Sequence, residues 1–490
     1  MIEVPRVVIR LVLGFAIFSV ARPATTQEGA PKSTAAQPTA SSPVPAVAAP
    51  RERPQITPGP TLSLADALDR AKKRNLTLES ARLEIDKARG QLKQVWGLVL
   101  PMVQGGMQYT RMDHEDTYDV AGAFAPILAA MGVTLPEGAL GDPWLLNPQD
   151  KLQGTLQAAV SIVNAESWMQ IHAARKGVDV AELSIRDGER QFLLGVAQAY
   201  YMTLMTRELI DLYEAQLDAA EAQLSVAQAR FEAQVGLRID TVRAETDVEK
   251  TYQDLVAAHL AFDNARDALG ELAQVDGLPL PEAAPPLTVP GGDERQIAER
   301  AESRRTDLAA GRAKVELQQR FVDAAWMQFL PTLTAAWQGN YTFTEMSAMG
   351  SDDRSRWAFV LTLTVPIYNE FRYGDLDTKR AALKQSMVDL ENLESKSSLG
   401  VRMASRDYRT ALTSVETAER QVALAQEGLL LAEAAYRAGA GTSLDVTDAR
   451  EAYTAAGVNV ATQRLRSQIA LLSLLDAEGE EIGPETVEKR

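Results

Sequence analysis

The sequence predicts a mainly α-helical protein with a small complement of membrane-type β-strands, built as two similar halves. Three observations carry this. The first is a long-range echo. Trp96-Gly-Leu-Val-Leu-Pro101 recurs as Trp326-Met-Gln-Phe-Leu-Pro331, an offset of 331 − 101 = 230 positions. At that offset Arg74 meets Arg304, Leu78 meets Leu308, Arg82 meets Arg312 and Gln108 meets Gln338. Phe231…Gly236…Asp240…Ala244 recurs as Tyr436…Gly441…Asp445…Ala449, now offset by 445 − 240 = 205. The second is the absence of proline between Ala165 and Ala233, and again between Ile367 and Ala438. Each stretch of about seventy residues would reach about 100 Å as one helix, a length that belongs to coiled-coil packing. The third is a set of four short segments with alternating polarity.

The N-terminus reads as an export signal over 1–21: Arg6 and Arg10, then the apolar run Leu11–Val20, then the small-residue site ending at Ala21. Residues 22–60, rich in Pro, Ala, Ser and Thr, read as a disordered linker. Order is expected from Leu62, with an apolar helical face at Leu64, Ala67, Leu68, Ala71, Leu78, Ala81 and Ile85.

Strands are expected near 102–111, 152–163, 332–343 and 356–366. Leu152–Ile162, Leu333–Phe343 and Trp357–Val365 alternate clearly, and Val103–Thr110 more weakly. Period two marks a strand with a different solvent on each face, and about nine to eleven residues suffice for a tilted strand to cross a bilayer. Tyr109, Trp337, Tyr341, Phe343, Trp357 and Phe359 are expected on the lipid side as an interfacial aromatic girdle. Met112–Lys151 separates the first strand pair and Thr344–Arg356 the second, which accounts for the shift of 230 − 205 = 25 between the two offsets. The longer connection reads as an extended surface loop. The resulting divisions are a first repeat over 61–272, an inter-repeat segment over 273–303, a second repeat over 304–477 and a tail over 478–490.

Composition narrows function. Acidic residues outnumber basic ones, 66 to 50, with no basic patch, which argues against nucleic-acid binding. There is no cysteine, hence no disulfide, thiol chemistry or N-terminal lipid-modified cysteine. His114, His172 and His259 are isolated, and no phosphate loop or nucleophile elbow is present. Neither a cofactor nor an enzymatic activity is expected. Four strands cannot close a barrel: two edges would leave unpaired backbone groups in lipid. Two copies give eight strands with a nearly filled interior, whereas three give twelve and an open lumen. Cyclic symmetry therefore predicts a homotrimer.

From Leu62 to about Ala477 the sequence resembles the TolC-like outer membrane efflux protein family. The resemblance rests on the repeated helix–strand–strand–helix order and on local signatures. These are Leu62-Ser-Leu-Ala-Asp-Ala-Leu68 with Asn75, Thr364-Val-Pro-Ile-Tyr-Asn-Glu-Phe371, the turn Ala435-Tyr-Arg-Ala-Gly-Ala-Gly-Thr-Ser-Leu-Asp-Val-Thr-Asp-Ala449, and its first-half partner Ala229–Glu245. The resemblance implies a passive homotrimeric conduit in the outer membrane of a Gram-negative bacterium, with a twelve-stranded barrel in lipid, an α-helical barrel in the periplasm and an equatorial collar near Leu278–Glu302. It further implies a periplasmic adaptor protein as partner, coupled to a proton-driven or ATP-driven inner-membrane pump for efflux or type I secretion. Two departures stand out. Gln234 occupies the family's usual glycine position, which suggests a differently shaped first turn, and the lipidated cysteine is absent.

The resemblance places Asp445 and Asp448 at a closed periplasmic gate, where threefold symmetry makes rings of carboxylates. The residues themselves leave helix capping open for Asp445 and favour it for Asp240. Gly236, Gly439 and Gly441 are expected to form the tip turns, with Arg238, Asp240 and Arg437 as candidates for adaptor or gate contacts. Trp96 and Trp326 read equally as interface anchors or core residues. The alternative is a non-channel periplasmic coiled-coil scaffold, which would have no use for alternating strands.

Overall fold

The computed structural model describes residues 52–133, 136, 143–284, 287–344 and 354–483. The expected signal over 1–21 and most of the linker lie outside the described residues. Glu52 and Arg53 are irregular coil, and the chain from Pro54 onward forms one compact unit.

Helices α1 (Leu64–Arg74) and α2 (Leu76–Trp96) lead into strand β2 (Met102–Arg111), after the short β1 (Thr61–Leu62). Asn75 separates the two helices: its Oδ1 accepts from the Thr77 amide at 2.9 Å, capping α2, and its Nδ2 donates to the Leu272 carbonyl at 3.2 Å. Strand β5 (Asp150–Val163) then passes at Asn164 into α4 (Ala165–Glu232), whose 68 residues span about 100 Å. A turn joins α4 to the 36-residue α5 (Arg238–Ala273).

The order then recurs. After β6 (Leu280–Pro281) come α6 (Glu294–Arg304), α7 (Thr306–Met327), β7 (Thr332–Thr342), β8 (Ser355–Thr364), the 68-residue α8 (Glu370–Arg437) and the 36-residue α9 (Ser443–Glu478). Helix starts are set alike, with Asn164 and Asn369 each capping the long helix that follows a strand. Even tertiary ties recur. Arg82 donates to the Lys72 carbonyl (2.9 Å) and pairs with Glu189 (3.3 Å); Arg312 donates to the Glu302 carbonyl (3.2 Å) and pairs with Glu394 (3.3 Å). The guanidinium of Arg175 stands 5.5 Å over Trp96 and that of Arg380 5.1 Å over Trp326. Both tryptophans therefore serve as cation–π platforms for the long helices, and Trp326 stays half exposed rather than entering the core.

Several expectations need correction. The linker does not run to Pro60 as loose chain, because residues 57–60 are strapped to the body. Arg266, fully buried, donates to the Thr57 carbonyl (2.9 Å) and the Pro279 carbonyl (3.0 Å), contacts the Leu278 carbonyl, and pairs with Asp263 (3.1 Å). Gly59 is required there, since a Cβ would lie 1.8 Å from the Leu278 oxygen. Parallel pairing of β1 with β6 continues the strap, and Tyr200 places its hydroxyl 2.7 Å from the Glu282 carbonyl and 2.9 Å from that of Leu62. The recurrence of element order starts before 304, because α6 stands to α7 as α1 stands to α2. The tail does not begin at 478 either: Glu478 is buried against Arg300 at 2.5 Å, and Ile482 joins the main core. The expected loop Met112–Lys151 contains its own structure, with β3 (Asp116–Tyr118) paired antiparallel to β4 (Trp144–Asn147) and helix α3 (Val120–Ala130) capped by Asp119. No apolar period announces these short elements, which is why the sequence reads as loop.

The main core gathers α1, α4, α5 and α9 around Leu68, Tyr200, Leu269 and Leu472. A smaller cluster of Leu429, Tyr436 and Val446 closes the far end.

Candidate functional site: paired helical turns and a two-faced sheet

The turns between α4 and α5 and between α8 and α9 share one backbone. Gln234 (φ 61°) and Gly439 (φ 75°) both adopt the left-handed conformation. The Val235 and Gly236 amides donate to the Arg230 carbonyl at 3.0 and 2.9 Å; those of Ala440 and Gly441 donate to the Ala435 carbonyl at 2.9 and 3.1 Å. Gly236 and Gly441 lie against the preceding helix, where a Cβ would meet Arg230 Cβ at 2.9 Å and Ala435 Cβ at 3.2 Å. The expectation that Gln234 reshapes the first turn is therefore corrected: the residue is forced into the glycine conformation. A side chain there costs about 1 kcal/mol against glycine. Gln234→Gly is expected to raise stability by about 0.5–1 kcal/mol, and Gly439→Ala to lower it by about 1 kcal/mol, read from denaturant midpoints.

Chemistry, not shape, distinguishes the turns. Thr442 caps α9 in a full capping box: the Asp445 carboxylate accepts from the Thr442 amide and hydroxyl, both at 2.8 Å, while the Thr442 hydroxyl accepts from the Asp445 amide at 3.3 Å. These bonds, that from the Thr442 amide foremost, hold the Asp445 carboxyl below the usual aspartate range. Its contribution is complete above the ordinary value of ~3.9 and disappears only as pH falls through the lowered folded value. Thr442→Ala should accordingly lose the tip's structure at a higher pH during acid titration followed by circular dichroism.

The matching cap of α5 is Leu237, which has no side-chain acceptor. Asp240 thus does not cap its helix as expected; its carboxylate accepts from the Ser443 hydroxyl at 2.5 Å, reaching the other turn. Asp448 is exposed one turn further along α9. Arg437 pairs with Glu433 at 3.2 Å on its own helix, and the Arg238 guanidinium stands 5.9 Å over Phe231.

Further ties join the two helical hairpins. Arg230 donates to the Tyr436 carbonyl at 2.6 Å and covers its ring at 4.7 Å. Arg450 meets Asp247 at 2.5 Å, both buried, and Lys250 meets Glu451 at 2.5 Å. Arg464 bridges Glu208 (3.0 Å) and Glu419 (2.9 Å). Sequence reasoning missed these residues. A signal existed, because Asp240 and Asp247 are 247 − 240 = 7 apart and their partners Ser443 and Arg450 are 450 − 443 = 7 apart, one heptad on each helix.

At the opposite end, β2, β5, β7 and β8 form one antiparallel sheet in that order. Its register sorts side chains by chemistry. One face carries Val103, Met107 and Tyr109, then Leu152 and Leu156, then Leu333, Trp337 and Tyr341, then Trp357, Phe359 and Leu361. The other carries Gln104, Gln157 and Gln338 in one cross-strand row, Gln153 beside Thr342, and Asn340 beside Arg356. Gln104 donates to Gln157 at 2.8 Å within that row. The expected aromatic girdle is corrected in part. Tyr109, Tyr341 and Phe343 cluster at the strand ends remote from the helices, but Trp337 and Phe359 are cross-strand partners in mid-strand. The Trp337 ring folds over Gly339, and that of Phe343 over Gly154. Strands β2 and β8 form the two edges, with no strand on their outer side within this sheet.

Among the described residues no helix is long and apolar enough to cross a membrane, and no group of side chains forms a metal site. A sheet with one apolar and one polar face, mounted on rod-like helices, is the arrangement of a membrane-spanning class of protein. The chain belongs to the outer membrane efflux protein family, whose model matches residues 67–273 and 297–480. It is therefore a channel protein of the Gram-negative outer membrane and not an enzyme. It is 22% identical to the outer membrane protein TolC of Vibrio cholerae serotype O1 over 376 residues, covering 73% of this chain and 85% of that one. TolC of Escherichia coli K12 is 23% identical over 390 residues, with 74% and 78% covered. The fold matches a crystal structure of CusC with a TM-score of 0.70 at 17% identity, covering 88% of this chain and 99% of that chain.

Proposed function

We propose that the protein is a homotrimeric, passive conduit of a tripartite efflux or type I secretion system, gated at the paired turns. The observation that carries this is the sheet, which has opposite chemistry on its two faces and two unpaired edges. In a bilayer each unpaired backbone group costs several kcal/mol. Because strand directions alternate, β8 of one chain meets β2 of the next antiparallel, and three copies close a twelve-stranded barrel with the glutamine row facing water. The recurring element order supports an origin by internal duplication, so that six similar hairpins surround one pore. An export signal at the N-terminus fits this destination.

Gating follows from the contrast between the two hairpins. Each is packed tightly within itself, whereas polar ties such as Asp240–Ser443 and Asp247–Arg450 join one to the other. Such ties exchange for water when the hairpins part. Asp448, and the carboxylate face of Asp445 turned away from Thr442, form rings of like charge at the closed end. Arg238 and Arg437, with Gly236, Gly439 and Gly441 shaping the turns, form the surface that meets a periplasmic adaptor, itself coupled to a proton-driven or ATP-driven inner-membrane pump. Outer-membrane lipid covers Trp357 and Phe359.

Reconstitution in planar bilayers tests this reading. Discrete channels that are cation-selective at the end carrying Asp448 support it. A protein that remains soluble without detergent and adds no conductance favours the coiled-coil scaffold.

A further inference from the structure

The four strands of the sheet hold four charged side chains: Arg111, Asp150, Lys151 and Arg356. The register divides them. Arg111 and Asp150 are cross-strand partners on the apolar face, 3.7 Å apart, and the Tyr109 hydroxyl donates to Asp150 Oδ1 at 2.6 Å. Lys151 and Arg356 lie on the polar face, the first opposite Thr110 and the second in the row Gly106–Thr155–Asn340–Arg356. No carboxylate shares that face in any of the four strands. Arg356 is exposed and Lys151 half-buried, and neither has an ion-pair partner among the described residues.

Both cations sit toward the strand ends remote from the helices. Lys151 is 155 − 151 = 4 positions from Thr155, whose row contains Arg356, a rise of about 13 Å along the strand. The surface around them is uncharged and rich in donors. Asn340 Oδ1 accepts from Gln338 Nε2 at 3.3 Å, which leaves its own N–H groups for an acceptor. Acidic residues lie nearby but outside the sheet: Asp113, Glu115, Asp116 and Asp119 are exposed beyond Arg111, in the connection to β5. Two of them flank His114, Asp113 at 2.9 Å and Asp116 at 3.7 Å. In bulk salt such charges are screened within about 8–10 Å. Charges on a lumen wall are instead focused by the low-dielectric material behind them.

We propose that Lys151 and Arg356 form an anion-binding belt at the outer end of the conduit, taking small multivalent anions that present phosphate-like oxygens. The inference rests on the reading of this chain as a trimeric barrel with its polar face inward. Three copies then place a belt of Lys151 and Arg356 side chains, with no carboxylate among them, on that part of the lumen wall. Guanidinium N–H pairs match two oxygens of one phosphate group, and the lysine adds a point charge. The conduit becomes bipolar, with carboxylates at the turns and cations at the sheet. Anions are concentrated at the exit and cations at the opposite end, so the two ends discriminate between charges of opposite sign.

The test is side-dependent block of single channels in planar bilayers, at about 0.1 M KCl, with inorganic pyrophosphate as the probe. Added at the sheet end, pyrophosphate is expected to reduce the current saturably at about 1 mM or below. Added at the end carrying Asp448, it should act about tenfold more weakly or less. Lys151→Gln combined with Arg356→Gln should weaken the sheet-end block about tenfold or more. Arg356→Lys alone, which keeps the charge, should retain most of it. Raising KCl to about 1 M shortens the screening length from about 10 Å to about 3 Å and should relieve the block in the unaltered protein. Equal block from both ends, no block below about 10 mM, or unchanged block in a conducting double variant overturns the proposal. Where the double variant gives no channels, the two ends and the two salt concentrations on the unaltered chain decide the question. A chain that forms no channels at all overturns the conduit reading and the belt together, whereas channels indifferent to pyrophosphate remove the belt alone.

Discussion

Replacing Asp445 and Asp448 together by alanine should raise single-channel conductance and weaken block by divalent cations by about an order of magnitude. The two residues should not contribute equally. The Asp445 carboxylate is engaged by the Thr442 amide and hydroxyl, whereas Asp448 lies exposed one turn further along α9. Asp448→Ala alone should therefore produce most of the change in cation block. Asp445→Ala should also loosen the turn, since it removes half of the capping box. Conductance and block measured on the single and double variants separate these effects. Unchanged values in all three remove the carboxylate ring from the account.

Arg266→Ala should be the most damaging single substitution for stability, at about 3–5 kcal/mol. The side chain is fully buried and organises three segments: the approach to β1, the turn at Leu278–Pro279, and α5 through Asp263. Its removal leaves the Thr57, Leu278 and Pro279 carbonyl oxygens without their donor at once. Gly59→Ala attacks the same strap from the other side and should expose residues 54–60 to protease while leaving the helices folded. The urea midpoint of tryptophan fluorescence reads the first effect, and limited proteolysis the second. A neutral Arg266→Ala would mean that the strap contributes little.

Much of this architecture was legible in the chain because the physics behind it is local and repeated. Proline-free heptad-like stretches gave α4 and α8, and period-two alternation gave four strands to within a few residues. The pairing of Arg82 with Arg312 across the echo anticipated two equivalent ties, each from an arginine to a carbonyl ten residues earlier and to a carboxylate on the long helix. What stayed hidden was set by tertiary contact. The strap over residues 57–60 reads as linker, since its order comes from Arg266, far away in sequence. Ile482 reads as tail because its burial depends on the main core. Gln234 reads as a change of turn shape, yet the helices on either side impose the same left-handed conformation as at Gly439. The candidate gate was found by resemblance, but the exchange of Asp240 from cap to Ser443 follows from Leu237 at the cap position, a single substitution with a consequence across the tip.

The central claim is that edge strands β2 and β8 pair between chains to close a barrel of three. The chain has no cysteine, so engineered thiols have no background. A cysteine at Gln108 on β2, combined in turn with one at Ala358, Val360 or Thr362 on β8, keeps every thiol on the polar face. After oxidation in outer membranes, at least one combination is predicted to give a covalent three-chain species on non-reducing electrophoresis. Products that stop at one or two chains in every combination would contradict the account.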